Sequence, residues 1–190
     1  YKNSIKVEID QSYEPTDSNQ NPTWTPLRNG NIFKNYIAKK EKISDNDKNN
    51  LENDSIGLLG KCINPNNINE VNLNSTGLCF GQIQSGKTTS MEAVFSLAAD
   101  NNFKILILLT GSVGPLVVQN TSRIDKVLED RRFEVFRNVE KEWDHSRFEE
   151  TLRNHIFDWN NNEIPEDEKK TLVILSMKNP SRIKKINKLF

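Results

Sequence analysis

The chain has 190 residues, of which 35% are apolar and 27% charged, with 26 Lys and Arg balanced by 26 Asp and Glu. No apolar stretch approaches the roughly 18 residues of a membrane span, and zero net charge argues against a general polyanion coat while leaving a local basic face open. Two Cys, Cys62 and Cys79, and two His, all without metal-ligand spacing, exclude a disulfide scaffold and a zinc site and fit a reducing, cytoplasmic interior.

The apolar residues are unevenly spread. They fill 20 of the first 70 positions but 21 of the 42 from 77 to 118, so the core is expected in the middle of the chain. Asn is abundant, 26 residues with clusters at 64–69 and 160–162, a bias that codon usage explains as well as function does. The chain starts at Tyr1 without Met, and a piece of a longer protein is expected.

Ile5, Val7 and Ile9 alternate with charged residues as a half-buried strand does. Residues 11–31, with Pro15, Pro22, Pro26 and Gly30, read as an extended arm. Phe33, Tyr36 and Ile37 predict a helix over about 32–42. Ser44-x-x-Asp47 is a capping box for a second, and Ser55 opens a third carrying Ile56, Leu59 and Ile63. Residues 64–76 are a polar connector.

The pattern then changes. Leu78-Cys79-Phe80 reads as a short buried strand, and Met91, Val94, Phe95 and Ala98 predict a helix that stops at Asn101 or Asn102, since Asn tolerates a left-handed cap. The run Ile105 to Leu109 predicts a central parallel strand covered on both faces. Pro115, Val117, Ile124 and Leu128 suggest a helix, and so do Phe148, Leu152, Ile156 and Trp159. Thr171 to Leu175 is a further strand, and Asn179-Pro180 opens a last helix with Ile183, Ile186 and Leu189. Alternation of strand and helix predicts an α/β layer with a parallel sheet over 77–190, preceded by an arm and helical region over 1–76.

Gly81-Gln82-Ile83-Gln84-Ser85-Gly86-Lys87-Thr88 fits G-x-x-x-x-G-K-[ST] between the predicted strand and helix. Gly81 allows a sharp turn, and Gly86 lets the backbone approach phosphates with no Cβ in the way. Amides from Gln84, Ser85 and Gly86 to Thr88 would meet the anion at the positive end of the helix dipole. Lys87 supplies a cation to the β- and γ-phosphates of ATP, and the Thr88 hydroxyl a ligand to Mg²⁺. Gln82 and Gln84 serve loop geometry and a polar contact. The predicted fold class is therefore a P-loop NTPase sheet. Such a hydrolase also needs an acid after a later buried strand. The two later strands end in Thr110-Gly111-Ser112 and Ser176-Met177-Lys178-Asn179, so that strand is expected beyond Phe190.

Gly77 to Thr88 resembles the "GLVVGxVQSGKT" signature of the Z-one domain of bacterial proteins classed as endonucleases. The likeness continues in Ala98-Ala99-Asp100, in Leu109-Thr110-Gly111, in Gln119 to Arg123, which parallels "QTQ-x-R", and in Met177 to Ser181, which parallels "KKNP". It is good over 77–190 and weak before. Cys79, Phe80 and Asn120 depart from the pattern. The resemblance implies a P-loop ATPase related to superfamily two helicases, acting on DNA in restriction-like or defence systems beside nuclease or methyltransferase partners. It also implies an acidic motif after the end of this chain.

Other candidates are weaker. Arg123 reads as a solvated face, and Arg182, Lys184, Lys185 and Lys188 form an acid-free basic stretch that could meet phosphates. Asp158 with Glu168-Lys169-Lys170 is the nearest approach to a nuclease PD-(D/E)xK site, but its residues precede a strand and read as a polar turn. His145 and His155 read as a surface and a helix residue with no nucleophile beside them. A GTPase would need an Asn/Thr-Lys-x-Asp reader, and Asn187-Lys188-Leu189-Phe190 lacks the Asp. A GTPase, a small-molecule kinase and a non-hydrolysing phosphate-binding scaffold remain alternatives to the ATPase.

Overall fold

The computed structural model describes residues 24–28, 30–67, 87–110, 124–125, 127–138 and 145–188, with the backbone alone at 87, 138 and 145. The expected strands at 5–9 and 78–80, the arm before 24, most of the 64–76 connector and the helix start at 115 lie outside these residues. In chain order the elements are α1 (Asn31–Ala38), α2 (Asp45–Leu59), α3 (Lys87–Asp100), β1 (Ile105–Thr110), β2 (Phe133–Asn138), α4 (His145–Asn160), β3 (Thr171–Met177) and α5 (Pro180–Asn187).

The three strands form a parallel sheet in the order β1-β3-β2, with Ile107 opposite Ile174 and Phe136 opposite Ile174 on the other side. Because side chains alternate along a strand, β3 feeds two cores. Val173 and Leu175 join α1, α2, α3 and Ile124, Val127 and Leu128 on one face. Leu172 and Ile174 join Phe136, Phe148 and Leu152 of α4 and Ile186 of α5 on the other. Ile124, Val127 and Leu128, between β1 and β2, thus pack on one face, and α4, between β2 and β3, on the opposite face. Among the described residues no helix is long and apolar enough to cross a membrane.

Several local expectations change. The central strand is β3, buried from Thr171 to Ser176, whereas β1 is at the edge of the described sheet with Ile107 and Leu109 over 40% exposed. An apolar run does not distinguish a strand covered on both faces from one covered on one. Strand β2 was not expected at all. Ser44 does cap α2, its Oγ accepting from the Asp47 amide at 3.2 Å. Ser55, however, opens no helix: it lies inside α2 and donates to the Leu51 carbonyl at 2.6 Å. Ile63 follows α2, and α1 ends at Ala38 rather than near residue 42. In α4 the buried stripe is Phe148, Leu152, His155 and Trp159, with Ile156 turned outward, because the offset of seven follows the 3.6-residue period more closely than eight. The cap after α3 forms as expected, with Asn102 at φ 64°.

Candidate functional site

Of the residues of the predicted phosphate loop, Gly81, Gln82, Gln84, Ser85 and Gly86 lie outside the described residues. Lys87 is the first described residue of α3, and Thr88, next to it, is half-buried. A tight turn, residues 101–104, links α3 to β1, so the two elements run antiparallel. The 14 residues of α3 rise about 1.5 Å each and the six of β1 about 3.3 Å, so the two match at about 20 Å. The start of α3 is thereby carried to the C-terminal end of the sheet, where parallel α/β layers bind ligands. Thr110 and Ser176 meet at that end: Thr110 Oγ1 donates to the Ser176 carbonyl at 3.2 Å and the Lys178 amide to the Thr110 carbonyl at 2.8 Å. The Ser176 hydroxyl is buried there with no partner among the described residues.

The helix is held along its length by α1. At the far end, Asp100 accepts from the amides of Ile32 at 3.2 Å and Phe33 at 2.8 Å. Gly30, the N-cap of α1, has no side chain to perform this task, so the cap is supplied from α3. A Cβ at Gly30 would collide with the Asp100 carboxylate. Burial raises the Asp100 pKa above its ordinary value, with the two amide bonds pulling the other way. Asn101 adds a second tie, accepting from the Leu27 amide at 2.6 Å. At the near end, the Tyr36 hydroxyl donates to the Thr89 carbonyl or the Glu92 carboxylate, both at 2.9 Å, and Lys40 Nζ pairs with the same Glu92 Oε2 at 2.8 Å. Desolvation, then the Glu92 charge, raise the Tyr36 pKa, keeping the phenol a donor.

Strand β3 ends in Met177 without an acid, while β1 and β2 reach the edge of the described residues at Thr110 and Asn138. The nuclease-like residues do not converge. Lys169 is buried and donates to the Trp159 carbonyl at 3.1 Å and to Glu166 at 2.8 Å, while Asp158 and Glu168 are exposed. Of the basic stretch, Arg182 is buried, whereas Lys184, Lys185 and Lys188 are exposed, as is Lys178 before α5. His155 lies in α4, as expected, and is buried. Its Nε2 lies 2.7 Å from the Lys104 carbonyl, which can only accept, so Nε2 carries the proton. Burial lowers its pKa. A groove of about 310 Å³ along α4, lined by Glu149, Leu152, Arg153 and Ile156, lies on the face opposite α3 and gathers no buried polar groups.

Local sequence flags the loop and Thr88, but not the tertiary bonds of Tyr36, Lys40, Glu92 and Asp100. Their partners are 52 to 68 residues away, and no short-range pattern marks them. Compared with family models, with curated proteins and with solved structures, the chain matches none.

Proposed function

We propose that the chain is the nucleotide-binding part of a helicase-like P-loop ATPase, coupling ATP hydrolysis to DNA processing in a bacterial restriction or defence system. The observation that carries this reading is that α3, whose first described residue is Lys87, directly follows the loop motif in the sequence and runs back from the C-terminal end of a parallel sheet. The first-turn amides of a helix have no partner within it and face an incoming anion. In this reading Gly81 to Gly86 wrap the phosphates, Lys87 meets the β- and γ-oxygens, and Thr88, half-exposed rather than sealed in the core, holds Mg²⁺. The magnesium ion would neutralise phosphate charge. The exposed Lys178, Lys184, Lys185 and Lys188 are the surface offered to a nucleic-acid backbone.

Calorimetric titration of the chain with ATP and Mg²⁺ tests the reading. Weak binding with little hydrolysis is expected, with Lys87→Ala weakening the binding by about 100-fold, the loss of a charge-assisted contact. Absence of ATP binding overturns the reading. Equal affinity for ATP and inorganic phosphate replaces it with the passive phosphate-binding scaffold, and preference for GTP with another P-loop enzyme.

A further inference from the structure

We infer that Tyr36 is a positioning residue for the Mg²⁺-nucleotide site, acting through the first turn of α3; this rests on the reading of Lys87 and Thr88 given above. Thr88 and Glu92 are four residues apart and therefore share one face of α3, one turn from each other. The carbonyl of Thr89 and the carboxylate of Glu92 both lie within reach of the Tyr36 hydroxyl, so α1 grips α3 directly beneath Thr88.

Three features make this grip more than ordinary packing. It is the second of two anchors: Asp100 fixes the start of α1 against the end of α3, and Tyr36 fixes the later part of α1 against the beginning of α3. The short helix therefore lies antiparallel along α3 as a splint. Second, the grip is polar and buried, with Tyr36 and Glu92 both under 10% exposed, where a hydrogen bond directs geometry more strictly than apolar contact does. Third, Lys40 closes the cluster, its ammonium 2.8 Å from Glu92 and 4.7 Å from the centre of the Tyr36 ring. Glu92 thus stays paired even without the phenol. First turns of helices fray, and a metal ligand there needs outside support to keep a fixed position.

The test is Tyr36→Phe in the full chain, which keeps the ring and leaves Glu92 paired to Lys40. Affinity for ATP is measured by calorimetry with and without Mg²⁺, together with amide exchange across 88–92. The expected result is about a fivefold weaker affinity in Mg²⁺, the size of one lost hydrogen bond, with a smaller change without the metal and faster exchange in the first turn. A purely structural tyrosine lowers the unfolding midpoint and leaves both affinities unchanged, and that outcome overturns the inference. An equal loss with and without Mg²⁺ also overturns it, since Thr88 is then not the group affected. If the unaltered chain binds no ATP, the nucleotide reading itself fails before any variant is compared.

Discussion

The two faces of the sheet are closed in different ways. On the α3 face, apolar packing from α1, α2, α3 and the residues near 124–128 is tied by long-range polar bonds through Asp100, Asn101 and Glu92. On the α4 face a smaller cluster covers β2 and β3, tied by His155 to the Lys104 carbonyl and by Trp159 to the Lys170 carbonyl, and Ile107 and Leu109 of β1 stay exposed together with Ile156 and Phe157 of α4. The better-held face carries Lys87 and Thr88. Precise placement of a side chain needs a rigid support, and this chain gives its most elaborate support to the helix that follows the loop.

The sharpest test of this contrast uses one residue type on one strand. Leu175 and Leu172 are both fully buried on β3 but face the α3 and α4 sides respectively. Leu175→Ala is expected to cost about 4 kcal/mol and Leu172→Ala about 3, because the thinner layer collapses more easily around the cavity. Urea midpoints at unchanged slope measure both, and equal losses would erase the distinction between the faces.

A smaller effect, opposite in sign on the two faces, comes from pH. Asp100 on the α3 side has its pKa raised by burial, so the folded chain keeps a proton that the unfolded chain releases just above the ordinary 3.8. Its contribution is full below that value and is lost as pH rises through the window. His155 on the α4 side has its pKa lowered by burial, so the unfolded chain binds a proton first as pH falls below 6.5. Its contribution is present above 6.5 and is lost as pH falls through the folded-state value. Urea unfolding from about pH 4 to about pH 7 is expected to show Asp100→Asn removing a decline with pH, and His155→Gln removing a rise. Matching slopes in both variants would contradict the assignment. The smallest change is Ser44→Ala, which removes the α2 cap outside both cores and is expected to cost about 1 kcal/mol by thermal unfolding.

Strand β3 was legible because Thr171 to Met177 contains no charge, and α5 because Asn179-Pro180 is a cap followed by a first-position proline. Strand β2 was not. Its sequence, Phe-Glu-Val-Phe-Arg-Asn, mixes charges into a short segment at the edge of the described sheet, where Glu134 and Arg137 can reach solvent. Ser55 misled because a residue suited to capping also back-bonds within a helix. For the site, the loop motif was readable as a local pattern in the sequence, and α3 follows it. The splint was not, since Tyr36 registered only as an apolar helix position and its hydroxyl finds its partners across the fold.

The trans cap at Asp100 also constrains how the chain can fold. Helix α1 has only eight residues, too few to persist alone in water. The carboxylate that completes it is made 67 residues after Phe33. At a synthesis rate of about 5–20 residues per second, α1 waits about 3–13 s for its cap. Its apolar side, Ile32, Phe33 and Tyr36, must be tolerated or shielded during that interval. The element that steadies the candidate site is thus made well before the residue on which its own cap depends.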